Sequence, residues 1–528
     1  MASCSKEHVV YDSDTKEDVF QPRKRLRTVP LTYNDHESNN NCNGTKQDFL
    51  WESINHKPEI HPFSSLGGAT IDTNGMSRGE IFELFLNQEL IEKIVVETNR
   101  YGMQHEHFKD ITAEELKIYI ALCILMSIVL KPELQMYWSR DPSIETAYFA
   151  NVMSRNRFME ISRNLHFSNN DTEDENDPLR KTKDICNIII KTFINLYKPH
   201  KDISINEYLM KCKSRLHYIQ FNKLKKSRFG IKFYKLCDSK TGYVHNFKIY
   251  VGKNKFDSEL AINNIVINLM TESKLLRQGY CLFIDSWYNS IDLFKKLYDL
   301  KTNICGIIKN YRKGIPKEIK HIKLNKGEAV IFSNQKINII KWQDKREIVI
   351  LTTMHRLKFG ESGKINQSDG FRILKPTPII DYNKNMNGID MSDQMLSKFH
   401  IMRRNQKAYK KIFFYCIDMM LLNSYILFKN NTTDRAFHVY KQKLAEEIIS
   451  KYLTSRTNMR SSTPTTSVLR YTGQHFPIRI PYTKAKGRRT SKRCNVCLSQ
   501  SIRRETVFQC DICSVPLCID HFKPYHLK

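Results

Sequence analysis

The spacing of apolar residues changes its period at about residue 231, and this change limits the folds open to the chain. From Arg78 to about His200, apolar residues recur every three or four positions, as in helices. Residues 231–238 (IKFYKLCD) and 243–252 (YVHNFKIYVG) instead alternate apolar with polar side chains, which predicts paired strands. A helix at 258–270, a strand at 280–284, a helix at 293–300 and a strand at 304–308 are predicted next. That order indicates an α/β unit with a partly parallel sheet.

The remaining segments differ in composition, and together they predict a multidomain α+β chain. Residues 1–65 are polar and lack apolar periodicity, which is typical of disorder. A strongly apolar stretch at 412–428 returns the chain to helix, and a Ser/Thr tract at 461–467 indicates a linker. The predicted divisions are a disordered tail (1–65), a helical domain in two parts (66–230 and 400–478), an α/β domain in two parts (231–309 and 377–399), an insertion (310–376), a basic linker (479–493) and a cysteine-rich module (494–528).

The balance of charge favours a polyanionic partner. The chain has 84 Lys and Arg against 55 Asp and Glu, a formal net charge of +29. An anionic membrane surface would also attract it, but the longest uncharged apolar stretch, 118–130, is shorter than the ~20 residues that cross a bilayer. We therefore predict a nucleic acid and no membrane. Residues 360–364 (GESGK) are too short for a phosphate-binding loop, so no nucleotide cofactor is expected.

Seven cysteines and histidines near the C-terminus have the spacing of zinc ligands. Pairs separated by two residues let one turn supply two ligands to a tetrahedral ion. The order of the pairs suggests a cross-brace holding one or two structural Zn²⁺ ions, and the fourth ligand of the second ion is not identified. The predicted ligands are Cys494, Cys497, Cys518 and His521 for one ion and Cys510, Cys513 and His526 for the other.

Acidic residues stand where carboxylates could gather. Asp238 ends one predicted strand and Asp285 another, while Asp390 and Asp393 lie three apart on one face of a helix. Carboxylates from adjacent strand ends and a nearby helix can hold two Mg²⁺ ions for phosphoryl transfer. Asp is also a common turn former at strand ends and a common helix cap, and spacing alone leaves both explanations open.

Several stretches, in order along the chain, resemble the piggyBac-type DNA transposases. The resemblance runs from about Arg78 to the C-terminus. It is carried by 96–101 (VETNRY), 153–158 (MSRNRF), 283–290 (FIDSWYNS) and 388–395 (GIDMSDQM), among others. It implies that the α/β domain is an RNase H-like catalytic domain interrupted by the insertion. It also implies that the helical domain serves dimerisation and DNA binding.

The resemblance implies a catalytic triad and also shows departures from it. By position, Asp238, Asp285 and Asp390 match the family's three catalytic Asp residues, with Asp393 as an auxiliary carboxylate. The family usually carries Asp-Glu upstream of the first of these strands, where this chain has Asn206-Glu207. Many relatives have a Trp about eighteen residues after the third Asp, linked to handling the hairpin intermediate. Here Ala408 and Tyr409 stand at that place, and Tyr409 is a candidate to stack on a base instead.

The implied function is Mg²⁺-dependent DNA strand cleavage and transfer at TTAA sites by a nuclear homodimer. The alternative is a domesticated, catalytically weak, sequence-specific DNA-binding protein. Relatives use the cysteine-rich module to recognise transposon-end DNA. Basic clusters at 23–27 and 484–493 are candidate nuclear import signals. The candidate DNA contacts are Lys309, Arg312, Lys313, Arg403, Arg404, Lys407 and Tyr409.

Overall fold

The computed structural model describes residues 51–223, 228–252, 259–365, 370–401, 407–429, 436–458, 475–481 and 490–527; the side chains of 259–262, 387–391, 454–458 and 527 are not among those described. These residues divide into two compact units. The sheet unit holds the described residues up to Asp72 and from Phe193 to Gln394. The helical unit holds those from Thr73 to Thr192 and after Met395.

The sheet unit is built on a nine-stranded mixed sheet with the order β4-β5-β3-β7-β8-β11-β10-β9, and β6 also pairs with β5. Its strands are β3 Asp202–Lys211, β4 Gln220–Phe221, β5 Phe229–Asp238, β6 Val244–Ile249, β7 Cys281–Ile284, β8 Asn303–Ile307, β9 Ala329–Ser333, β10 Asn338–Gln343 and β11 Glu347–Thr352. Two smaller pairs are β1 Gly68–Ala69 with β2 Tyr197–Lys198 and β12 Phe359–Ile365 with β13 Arg372–Pro376. The helices of this unit are α7 Glu259–Glu272, α8 Ile291–Asp299, α9 Lys317–His321 and α10 Thr377–Lys398, whose end passes into the helical unit.

Helices cover both faces of the sheet, and each face has its own apolar core. On one face Leu282 and Ile284 pack with Leu293 and Phe294 of α8. On the other face Phe283 and its neighbours pack with residues of α10 such as Tyr382. Burial of each such side chain contributes ~1.5–3 kcal/mol, so the centre of the sheet is held rigidly between the two layers.

The predicted strands and helices between 231 and 308 are confirmed to within three residues, but strand β3, which precedes them, is not predicted. β3 lies in the segment predicted to belong to the helical domain, which ends near Leu196 rather than at residue 230. β3 pairs antiparallel with β5 and parallel with β7, so it is a central strand. Together β3, β5 and β6 form a run of three antiparallel strands, of which the sequence predicts only β5 and β6.

Two other predicted divisions are wrong in part. Strands β9, β10 and β11 of the predicted insertion extend the main sheet, because β11 pairs with β8. Part of the predicted disordered tail is folded as well: Trp51 is buried in the sheet core, and Glu52 bridges to Ser333. Residues 1–50 lie outside the described part of the chain.

The helical unit forms around α3, which is apolar on nearly every side. Its helices are α1 Arg78–Phe85, α2 Gln88–Gly102, α3 Ala113–Met126, α4 Ala147–Val152, α5 Arg155–Asn164, α6 Lys183–Leu196, α11 Ala408–Lys429 and α12 Phe437–Asn458, with a 3-10 turn at Leu134–Trp138; α6 runs into the sheet unit. α12 packs on α3, and α11 packs on α1. α11 alone among the described helices is long and apolar enough to cross a membrane, and 94% of that stretch is buried inside the protein.

Thr112 caps the N-terminus of α3, and Glu115 of the first turn joins α3 to α5. Thr112 Oγ1 accepts a hydrogen bond from the backbone N–H of Glu115 (3.2 Å), which begins α3. The buried Glu115 carboxylate instead takes a bidentate contact from Arg157 of α5, at 2.6 and 3.0 Å. This ion pair fastens α5 to α3.

Candidate functional sites

The sheet brings Asn206, not Asp238, next to Asp285. β3 and β7 run parallel with Ser204 opposite Phe283 and Ile205 opposite Ile284. Continuing that register by one residue places Asn206 beside Asp285, one strand spacing of ~4.8 Å away and on the face covered by α10. Both side chains are half-buried. An amide and a carboxylate therefore stand side by side at this edge of the sheet.

A buried lysine links this edge to α10. Lys235 lies directly opposite Asn206 on β5, has no exposed surface, and forms an ion pair with Asp393. Asp390 lies in α10 one turn before Asp393, but its side chain falls outside the described residues. Asn206, Lys235, Asp285 and Asp393 thus make one group, which we call the edge cluster. The sequence predicts Asp285 and Asp393 as site residues, shows Asn206 only as a departure from the family, and gives no signal for Lys235.

Asp238 lies elsewhere, and its predicted place in the triad does not agree with the sheet. It pairs with Ile203, three residues (~10 Å) from Asn206 along β3 and two strand spacings from β7. β5 is antiparallel to β3, so its carboxyl end points away from the carboxyl end of β7. The sequence showed that both strands end in Asp but could not show that they end at opposite edges of the sheet.

The surroundings of Asp238 are those of a structural residue. Its buried Oδ2 accepts hydrogen bonds from Tyr197 Oη (2.9 Å), His200 N (2.8 Å) and His200 Nδ1 (2.7 Å). Its Oδ1 accepts from the backbone N–H groups of Lys240 (2.7 Å) and Thr241 (3.1 Å). Burial would raise the pKa of Asp238, but the bonds from His200 and Tyr197 outweigh it and hold that pKa below its usual value. The carboxylate stabilises the β5–β6 turn. Because both of its oxygens already accept hydrogen bonds, few of their lone pairs are left to bind a metal ion.

Basic and aromatic side chains lie close to the edge cluster. Lys309 and Lys313 follow β8 and are exposed. Arg312 donates a hydrogen bond from Nη2 to the carbonyl of Trp287 (2.9 Å), two residues after Asp285. The predicted contacts Lys309, Arg312 and Lys313 therefore share the edge of the sheet that carries Asp285.

The predicted contacts after residue 400 lie in the helical unit or outside the description. Arg403 and Arg404 are not among the described residues. Lys407 is exposed, and its Nζ lies 5.7 Å from the ring centre of Tyr101. Tyr409 is half-buried with its ring edge-on to His166 (5.4 Å between ring centres), and burial raises the pKa of its hydroxyl. Tyr409 is thus a packing residue here more than an open stacking surface.

The first predicted zinc group assembles as expected. The four ligand atoms of Cys494, Cys497, Cys518 and His521 lie within 4.8 Å of one another, and His521 Nδ1 is 3.3 Å from the thiols of Cys497 and Cys518. Burial would raise the pKa of Cys494, but backbone N–H groups of Cys497 and Cys518 lower it to about 6. A thiolate is the form that binds metal. Three cysteines and one histidine are a usual set for structural Zn²⁺.

The second group gains the ligand that the sequence did not identify. His475 lies with Cys510, Cys513 and His526, and its Nδ1 is 3.1 Å from both thiols. It is brought there by β14 Pro477–Arg479, which pairs with β17 Phe508–Cys510. The module therefore begins before the predicted linker, near 475 rather than at 494. Because 18 residues, including a basic run, separate His475 from Cys494, its spacing gives no signal.

Both groups could hold a metal ion, and they are the only such groups of three or more ligands among the described side chains.

The chain matches a family model described as Transposase IS4 over residues 78–425. Its relatives in sequence and in structure are piggyBac proteins. The chain belongs to the piggyBac-type transposase family.

Two human relatives are each 25% identical in sequence to this chain. PiggyBac transposable element-derived protein 3 matches over 85% of this chain and 76% of its own length. PiggyBac transposable element-derived protein 2 matches over 72% and 67%. The fold is that of the piggyBac transposase solved by cryo-EM in a synaptic complex with hairpin DNA, with a TM-score of 0.67 at 22% identity over 87% of this chain and 98% of that one.

Proposed function

We propose that this piggyBac-type protein binds double-stranded DNA and has lost most of its capacity to cut it. The observation that carries the proposal is the place of Asn206, which stands beside Asp285 where the family's Asp-Glu pair would put a carboxylate. Asp238 does not replace that carboxylate, because it lies at the opposite edge of the sheet and is fully hydrogen-bonded.

The charge of the edge cluster argues against a tightly bound pair of Mg²⁺ ions. Divalent magnesium is held by carboxylates, and an amide oxygen at position 206 brings a ligand without its negative charge. Lys235 adds a positive charge opposite Asn206 and already neutralises Asp393. A unit charge ~4 Å away is worth ~1 kcal/mol in water and ~4 kcal/mol near a protein surface, so the neutral amide at 206 and the cation at 235 both weaken the binding of a divalent ion. The described residues fit Mg²⁺ only in part.

A second function is favoured by the residues that remain. Asp285, Asp390 and Asp393 are all present, and the amide oxygen of Asn206 can serve as a neutral ligand. With these residues the protein would be a Mg²⁺-dependent transposase that cuts and joins DNA at TTAA sites. The two functions share the same DNA but differ in whether strands are cleaved.

DNA binding is supported by charge and by the module at the C-terminus. The net charge of +29 would release counterions on binding DNA, and Lys309, Arg312 and Lys313 line the edge that carries Asp285. The related solved structure is a transposase complex with hairpin DNA. We assign the two Cys/His groups to structural Zn²⁺ and the module to recognition of transposon ends. We also propose that the protein is nuclear and acts as a homodimer. The candidate import signal at 23–27 lies outside the described residues, as does most of the candidate signal at 484–493.

An excision assay on the protein's own terminal repeats tests the proposal. The repeats flanking the element in the source genome are cloned around a reporter, and binding and excision are measured with the same purified protein. We expect binding that weakens as salt rises, with no Mg²⁺-dependent excision. Wild-type excision that restores TTAA and is lost in Asp285→Asn would establish the second function, and absence of binding would overturn both.

A further inference from the structure

Two exposed aromatic side chains stand next to the edge cluster. Trp287 has 46% of its surface exposed and Tyr311 has 68%. The chain has four tryptophans, and the other three (Trp51, Trp138 and Trp342) are buried or half-buried. Leaving two large rings in water at one place forgoes the free energy of burying them, so such a patch calls for a ligand.

The loop that presents Trp287 is held firmly. Asn289 is buried, and its Nδ2 donates to the carbonyls of Ile307 (2.5 Å) and Ile284 (3.4 Å), which ties the loop to the ends of β8 and β7. Arg312 donates to the carbonyl of Trp287 from the neighbouring loop. The following residue, Tyr288, is buried in the core. The side chain of Trp287 is therefore exposed on a loop that hydrogen bonds hold in place next to Asp285.

Two lysines lie near the ring of Trp287, and one of them also lies near that of Tyr311. Lys309 Nζ lies 6.0 Å from the ring centre of Trp287 and 5.7 Å from that of Tyr311. Lys232 Nζ lies 5.4 Å from the ring centre of Trp287 and is paired with Glu207 (2.8 Å). Because Glu207 already satisfies Lys232, Lys309 is the cation best placed to meet an anion from outside. An aromatic surface with an adjacent cation matches the two parts of a nucleotide, a flat base and a charged phosphate.

We propose that Trp287 and Tyr311 form a stacking surface for an unpaired nucleobase of DNA, with Lys309 on the adjoining phosphate. This rests on the proposed function, since it specifies the part of the DNA that meets this edge. A base inside a duplex has both faces covered by its neighbours and cannot stack here. The surface therefore selects DNA with a frayed, flipped or single-stranded segment next to Asp285.

The test compares two DNA molecules with the same duplex, one blunt and one with a 3′ extension of six thymidines. Affinity is measured by fluorescence anisotropy of labelled DNA, and stacking by quenching of intrinsic tryptophan fluorescence. We expect the wild type to bind the extended DNA about tenfold more tightly and to be quenched by it alone. Trp287→Ala and Tyr311→Ala should each remove most of that preference while leaving blunt-duplex affinity within about twofold.

Matched variants separate stacking from charge and from exposure. Phe221→Ala removes another exposed aromatic residue, 60% exposed on edge strand β4, and should leave the preference intact. Lys309→Ala should lower the affinity of the protein for both DNA molecules. Equal wild-type affinity for the two DNA molecules, or a preference that survives in both aromatic variants, would overturn the stacking surface and leave the proposed function standing. A change of oligomeric state in Trp287→Ala would also overturn it, because the patch would then face a second copy.

Discussion

Replacing Asp238 by Asn should damage stability rather than metal binding. The change keeps the shape of the side chain but removes its charge and turns one oxygen into an N–H donor. The least costly orientation of the amide places its NH₂ group where Oδ2 was, so that it can donate to Tyr197 Oη. In that orientation the NH₂ group faces the backbone N–H of His200, and two donors oppose each other. A buried donor without an acceptor costs ~1–3 kcal/mol, and each charge-assisted bond lost costs ~1.5–3 kcal/mol. We expect a total of ~3–5 kcal/mol, as for breaking a buried ion pair.

The assay is thermal unfolding, with Asp285→Asn as the matched control. Asp285 is half-buried and accepts a bond from its neighbour Ser286 N (2.6 Å), so its substitution should cost little. At ~2–4 °C per kcal/mol, Asp238→Asn should lower the midpoint by ~10 °C and the control by less than ~2 °C. Equal midpoints for the two variants, both close to the wild type, would refute the structural role of Asp238.

The pH dependence of the same variant gives a second readout. The folded pKa of Asp238 is depressed, so its contribution is present above the unfolded pKa of ~3.9 and is lost as pH falls through the lower folded value. The difference in stability between wild type and Asp238→Asn should therefore be constant near neutral pH and shrink below pH ~4. A difference that stays the same at pH 3 would contradict the assignment.

Further predictions concern the zinc module and the DNA-binding edge. His475→Ala should reduce the zinc bound to the purified protein from two ions to one, as measured by metal analysis. The control variant Phe476→Ala, at the adjacent position, should keep two ions. Two ions retained in His475→Ala would exclude His475 as a ligand. Lys309→Ala should lower the slope of log affinity against log salt by ~1 for duplex DNA, and an unchanged slope would remove Lys309 from the phosphate contacts.

The sequence predicted most of the elements but not how the strands meet. Alternation located β5 and β6, and apolar runs located β7 and β8, because local patterns determine local structure. β3 begins only six residues after helix α6 and carries the polar pair Asn206-Glu207 in its middle, so its apolar alternation is interrupted and the sequence pattern predicts the change of period about thirty residues too late. Without β3, the pattern of strand ends places Asp238 in one group with Asp285.

The zinc groups show the same limit of local information. Close pairs such as Cys494 and Cys497 are predicted from spacing, and the fold brings those predicted ligands together. His475 reaches its group only through the pairing of β14 with β17, a contact between segments about thirty residues apart. The ion pair of Lys235 with Asp393 likewise depends on the packing of α10 over the sheet, which no local sequence pattern indicates.

Binding of Mn²⁺ to wild type and Asn206→Asp, followed by electron paramagnetic resonance, tests the central claim most directly. Manganese stands in for magnesium at oxygen ligands, and the zinc module prefers sulfur and nitrogen. A restored carboxylate beside Asp285 should raise affinity at least about tenfold over the wild type, and Asp285→Asn should cancel that gain. If the wild type already binds two Mn²⁺ ions as tightly as Asn206→Asp does, and Asp238→Asn loses one of them while remaining folded, then Asp238 belongs to the metal site and the account is wrong.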